Sequence, residues 1–374
     1  YAGMPLDSMV LHAVIKNGDM KGRFTSANRM LQANLDLSGN VANKVLSASV
    51  KGGIEDLFLH YLGVGNDTTH VGAYLNVNAY VSEDGTRMGT DGSIDQIRMV
   101  TPSQGFTAMY ALNFDFDTSS DSTSAHIFAG DLDARMNIDK PVAEIAGVMG
   151  NIVDTVMVQV QNADIDQRKV SEMMPNMNFS MVGGKNNPLY NTMSFMGYGL
   201  DSVNVRLRSV PSKGLDGKME VFALKTGGLL LDVTTARLFQ DSTGLQLKCD
   251  ITNRSKRNPN KFDAHLNGRL FNDGGSIETV FLDEKNKEGL NLGVRAQIAK
   301  EGTLTVRLFP EVSTIAYRKF KINKDNYFTI SKDKCVSADV NLLADDQTGL
   351  KIETPEGGSI REMTVSLSNL NLDE

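Results

Sequence analysis

Four pairs of closely spaced aspartates have the residue type and spacing for acid–base or metal chemistry: Asp115/Asp117, Asp131/Asp133, Asp164/Asp166 and Asp345/Asp346. Two neighbouring carboxylates can divide the acid and nucleophile roles of glycoside hydrolysis, or contribute to the oxygen shell of a calcium ion. None of the four completes an EF-type loop, and the first two fall at strand or turn edges, where Asp is an ordinary solvated residue. The five histidines, His12, His60, His70, His126 and His265, are scattered singly without a His-x-x-x-His or Cys/His cluster, so no metal site is expected. No Gly-x-Ser-x-Gly elbow, phosphate loop or dinucleotide fingerprint occurs. Cys249 and Cys335 lie in strand-like segments and read as buried free thiols, though the sequence leaves their pairing open. The chemistry points away from an enzyme and calls for no cofactor.

The elements that carry these residues are strands. Between residues 203 and 308 apolar side chains recur at every second position: Val203, Val205 and Leu207; Met219, Val221 and Ala223; Leu229, Leu231 and Val233; Leu245, Leu247, Cys249 and Ile251. The pattern continues through Phe262, Ala264 and Leu266, then Leu290 to Ile298, then Leu304, Val306 and Leu308. Successive side chains leave a strand on opposite sides, so a period of two assigns one face to apolar contacts and the other to water. Turn material such as residues 213–217 and 272–275 separates the strands, as in an antiparallel meander. So many strands in one open sheet must twist and curl, and the apolar face then needs a cover.

The first 135 residues repeat the pattern at Leu31 to Leu37, Val71 to Val81 and Phe106 to Phe116, while residues 53–62 fit either a helix or a strand. Residues 118–124 read as an exposed loop. Helical spacing follows at Val142, Ile145, Met149, Ile152, Val153 and Val156, with Pro141 suited to a first turn. Shorter helices are expected over 164–174 and 187–199. Six of the 18 methionines lie between Met173 and Met196, where thioethers suit an irregular core or an adaptable surface. These helices read as a plug or cap at one end of a β groove, with a gate or docking surface as the alternative. Strands resume to the C-terminus, the last pattern, Leu370 and Leu372, ending in mid-stride. The start at Tyr1, without initiator Met or leader, reads as a piece of something longer.

Composition bounds the rest. At 41% hydrophobic and 22% charged residues the chain is neither disordered nor membrane-spanning in character, and no run of about eighteen apolar residues suggests a span. A net charge of -7 with no basic stripe argues against nucleic acid, and the absence of Trp weakens a glycan platform.

Pro310, the run Ile315, Ala316, Tyr317, Arg318, Lys319 and Phe320, and the run Asn323, Lys324, Asp325, Asn326 and Tyr327 resemble the TamB-like translocation and assembly proteins of Bacteroidota, within the AsmA-like superfamily. So do Ser337 to Asp346, and upstream Gly214 to Gly217, Asp232, Gly268, Arg269 and Leu270. The likeness is clearest over 131–374. It implies a fragment of a large periplasmic region, anchored in the inner membrane by a segment outside this chain. Its fold would be all-β, a long curled antiparallel meander forming a trough with an apolar interior. An AsmA-like β region would span 1–138, a short Met-rich helical insert 139–200, and a TamB-like groove 201–374. The implied work is outer-membrane biogenesis: moving phospholipid acyl chains between membranes, or assisting protein assembly with a BamA/TamA-like barrel partner engaged elsewhere.

An acyl chain in water exposes CH₂ groups at about 0.8 kcal/mol each, and a continuous apolar lining removes that cost while the head group stays wet. The residues expected to line the groove are Val205, Leu207, Val221, Leu231, Leu247, Leu266, Leu292, Val294, Val306 and Leu308. One rival is a structural or adhesive envelope protein whose apolar face is closed by a second sheet. Another is a carbohydrate-active enzyme using the Asp pairs.

Overall fold

Antiparallel pairing of neighbouring strands converts the alternating pattern into an all-β meander with a short helical insert. The computed structural model describes residues 7–42, 44–63, 69–101, 105–162, 165–241, 244–355 and 363–369. Leu370, Leu372 and Asp164 lie outside the described residues. Two compact units are present: Tyr1–Ala146 with Met177–Arg206 and Lys225–Gly227, and Gly147–Asn176 with Leu207–Leu224 and Gly228–Glu374. The expected insert at 139–200 therefore contributes to both units.

The first unit contains β1 (Met9–Lys16), β2 (Asp19–Ala27), β3 (Leu31–Ala42), β4 (Val45–Phe58), β5 (His70–Ser82) and β6 (Met88–Thr101). After these come β7 (Gly105–Ala108), β8 (Leu112–Thr118), β9 (Thr123–Ala129), β10 (Leu132–Ile138) and β11 (Met177–Gly183). Each strand pairs with its predecessor, except that β6 takes both β7 and β8. Asn17 and Gly18, both at positive φ (54° and 85°), make the two-residue turn of β1 and β2 that favours this twist. Residues 53–62 satisfy both readings: β4 runs to Phe58, and a 3₁₀ turn follows at Leu59–Leu62.

The second unit contains β14 (Leu229–Asp241), β15 (Gly244–Asn253), β16 (Phe262–Phe271), β17 (Gly274–Leu282), β18 (Glu288–Ile298) and β19 (Leu304–Ile315), paired in order. β20 (Arg318–Ile322), β21 (Tyr327–Ile330), β22 (Val336–Ala344), β23 (Gly349–Glu353) and β24 (Thr364–Ser368) follow. Between them, β12 (Ser202–Val210) and β13 (Gly214–Thr226) carry residues of both units. The turn expected over 213–217 is displaced, because β13 already begins at Gly214. Ile322, Val340 and Leu342 form a small buried cluster against Leu292, Leu308, Ile315 and Phe320. Ala338, Val340 and Leu342, among the residues behind the TamB-like resemblance, are thus core positions of β22.

The helices are α1 (Val142–Gln161), α2 (Gln167–Met173) and α3 (Pro188–Phe195). The insert is not wholly helical: Met177, Phe179 and Met181 alternate with Asn178 and Ser180 in β11, which pairs with β10. α1 has no buried residue, and its 20 residues meet the length and apolarity of a membrane-crossing helix, correcting the expectation that no segment does. The loop expected over 118–124 is shorter. Thr118 and Thr123 are buried and share a 2.8 Å hydrogen bond, and they bind Val142 N (3.0 Å) and Lys140 O (2.8 Å) at the entry to α1.

The Gly130–Asp131 turn ties the β9–β10 hairpin to the approach to α3. Gly130 has φ 62°, and a Cβ there would lie 1.7 Å from the Asn186 carbonyl oxygen. Asp131 accepts from Gly184 N (3.1 Å), Asn186 N (3.0 Å) and Asn187 Nδ2 (2.6 Å), while Asn187 caps α3 through Tyr190 N. Burial pushes the Asp131 carboxyl up, but these donors outweigh it and hold it below the usual range. Asp131→Asn is expected to cost roughly 1 kcal/mol near neutral pH, the exposed site screening the charge. A depressed folded pKa gives stability that is present above the unfolded value of about 4 and is lost as pH falls through the folded one. Denaturant titrations of both proteins should therefore differ above about pH 4 and converge below it.

Candidate apolar groove

Among the described residues, the aspartates of the four pairs are occupied by structural partners. Asp115 lies 3.3 Å from His126 Nδ1, Asp133 lies 3.1 Å from His126 Nε2, and Arg135 binds Asp133 with both arms of its fork. Hydrogen bonding to Arg135 holds the Asp133 carboxyl below the usual range against the opposing effect of burial. Asp117 accepts from Tyr80 and Arg87, and pushes the Tyr80 hydroxyl pKa up. Asp166 caps α2 at Lys169 N, Asp345 pairs with Lys321, and Asp346 holds Arg318 and Thr348 N. Among the described residues no group of three His, Cys, Asp or Glu could hold a metal ion. Burial, then the nearby Asp250 charge, pushes the Cys249 thiol up, opposite to what a nucleophile needs.

What the strands bring together instead is an apolar surface. In the second unit, directly paired residues form the row Leu238, Leu247, Gly268, Ile277, Val294 and Leu308 across β14 to β19. Beside it runs Leu245, Leu270, Gly275, Ala296 and Val306. On the other flank are Ala236, Cys249, Leu266, Thr279 and Leu292. Gly268 and Gly275 have no side chain, so the flanking leucines, Ile277 and Val294 surround a cleft of about 460 Å³. That volume lies within the range of small-molecule sites, roughly 300–1,000 Å³. The cleft is open: Ile277 is 54% and Val294 40% exposed.

Six of the ten expected lining residues share this face: Leu247, Leu266, Leu292, Val294, Val306 and Leu308. Leu292 and Leu308 also pack on the Ile322 cluster, so the protein fills that end itself. Val221 and Leu231 are each only 8% exposed and line no open surface. Leu231 moreover shares its side of β14 with Val233 and Arg237, because Leu238 pairs with Leu247 on the other side. Val205 and Leu207 are half-buried and fall on either side of the division between the units. Leu238, Leu245, Leu270 and Ile277 were not singled out. Leu245 did lie in a recognised alternation, whereas Leu238 belongs to the phase of β14 that its Leu229–Leu231–Val233 pattern hides.

A longer apolar row crosses the first unit: Ala13, Gly22, Leu37, Val50, Val77, Gly92, Phe114, Ile127, Ala134 and Met181, each paired with the next. Ten strands at about 4.8 Å spacing make it roughly 43 Å long. None of these residues is buried. One residue along each strand from β2 onward, the row Lys21, Ser38, Ser49, Asn78, Asp91, Asp115, His126, Arg135 and Ser180 is polar, and only its β1 member, Val14, is apolar. Sequence reading assigned the groove to 201–374 alone, although the alternation in β3 and β5 was visible.

Gln167 at the start of α2 is hydrogen-bonded to the strands that carry the cleft. Gln167 donates to Leu270 O (2.8 Å) and accepts from Leu245 N and Gln240 Nε2 (both 2.9 Å), reaching the backbone of two lining residues that pair with each other. Gln167→Ala should leave these groups to water and cost about 1 kcal/mol locally. Amide exchange at Leu245 is expected to speed up severalfold, with β22 amides unchanged. No family model matches the chain, and no curated protein or solved structure is significantly similar to it.

Proposed function

We propose that this protein carries phospholipid acyl chains along its apolar β face as a TamB-like component of outer-membrane biogenesis, working in the periplasm between inner and outer membranes. The observation that carries this reading is the open cleft of Leu238, Leu247, Ile277 and Val294, whose walls offer aliphatic contact from neighbouring strands. Each CH₂ removed from water is worth about 0.8 kcal/mol, and a row that repeats similar side chains every strand gives no deep trap. The polar head stays in solvent because the face is not covered. A closed structural or adhesive protein would bury these residues, and an Asp-based hydrolase would bring two free carboxylates into one cleft. Neither arrangement fits the exposed Ile277 and Val294 or the partnered aspartates. In this reading the protein works with a BamA/TamA-like barrel partner.

Photo-crosslinking tests the assignment. A photoreactive residue at Ile277 or Val294 should capture lipid from vesicles, and one at Lys248 or Arg295 on the reverse side should not. Capture confined to the reverse side would sink the reading. Gly268→Val is the sharper variant. Its Cβ would sit 3.4 Å from Leu247 Cβ, an ordinary contact, so the fold should persist while the added methyls fill the cleft. Lipid capture at Val294 is expected to fall at least about tenfold, since losing two CH₂ contacts corresponds to roughly 1.6 kcal/mol.

A further inference from the structure

The reverse face of the same strands carries a feature that the lipid reading does not use. Pairing sets Arg269, Ser276, Arg295 and Arg307 side by side on β16 to β19, with Arg237 and Lys248 adjacent on β14 and β15. The cations converge on two rings. Arg237 and Lys248 lie 5.0 and 5.8 Å from the Phe239 centroid, and Arg269 and Arg295 lie 5.3 and 4.7 Å from that of Phe271. None of the five forms an ion pair with a described residue, and Arg269 Nε is buried without a hydrogen-bond partner. Like charges are thus gathered and oriented by stacking, and none of them is ion-paired with the acidic residues on the same face.

We propose that this strip, roughly 24 Å across six strands at about 4.8 Å spacing, binds an extended acidic segment of another polypeptide. Guanidinium forks, which make up four of the five cations, match carboxylates bidentately. The strip is narrow: Asp241, Glu278 and Asp250 lie on the same face beside it, so a broad anionic membrane surface would meet carboxylates as well. Both rings are already covered by cations, which removes the base stacking that single-stranded nucleic acid relies on.

Fluorescence anisotropy of a labelled twelve-residue polyglutamate against the whole chain tests the proposal. Binding should weaken with salt, and Arg269→Gln/Arg295→Gln should reduce affinity at least about tenfold. Arg295→Lys, which keeps the charge and loses the fork, should fall between. Unchanged circular dichroism and lipid capture at Val294 would show that the fold and the opposite face persist. Should the double variant not fold, the exposed pair Arg237→Gln/Arg307→Gln carries the same comparison. The proposal is overturned if polyglutamate does not bind, if the folded variants bind it unchanged, or if oligothymidylate or phosphatidylglycerol vesicles occupy the strip instead.

Discussion

Strand register is the constraint on which everything else in this protein depends. Side chains alternate with a period of two, so a slip of one residue at any ladder would exchange the apolar and polar faces of every strand beyond it. The ladders instead hold phase across six strands in the second unit and ten in the first, and apolar side chains line up as rows perpendicular to the chain direction. Where register does shift, as between Asn291 and Gly293, the same face is recovered, because Leu290, Leu292 and Val294 remain in phase. The groove is therefore a property of the pairing, and no single side chain creates it.

The same constraint explains why the titratable residues do so little chemistry. On a polar face each carboxylate has cross-strand neighbours at about 5 Å, and His126 between Asp115 and Asp133 shows the outcome. Such contacts satisfy charges and fix register, and they hold Asp115 and Asp133 on the imidazole between them. Turns reinforce the pattern. Asp131 spends both oxygens on the 184–187 segment, where the absent side chain of Gly130 lets that backbone approach.

Much of this was legible in the sequence because alternation is local. The strands around Leu245, Phe262 and Leu290 announce both their existence and their phase. β14 did not, since Leu229, Leu230 and Leu231 are consecutive and either phase reads as apolar; only pairing with β15 decides that Leu238 faces the cleft. β11 was hidden for a different reason. Its methionines lie in a Met-rich stretch between two helices, and an alternation of seven residues is easily absorbed into the helical pattern around it. The basic strip could not have been read at all. Its cations come one to a strand from positions 237, 248, 269, 295 and 307, and no window of sequence contains the group that the ladder assembles.

An open apolar face is also a thermodynamic statement. Ile277 and Val294 exposed in the folded chain give back part of the stabilisation that burial would provide, at about 25 cal/mol for each Å² left in water. Covering that face by a sheet of the protein's own would recover this term, yet the buried cluster of the second unit stops at Ile322, Val340 and Leu342. A ligand that binds only the folded face offsets the deficit by mass action, so occupancy and stability rise together. A closed core would show no such coupling, since a packed interior has nothing to gain from an added acyl chain. The exposure of the cleft and its proposed use are in this sense one property: the contacts the fold leaves unmade are those available to a lipid.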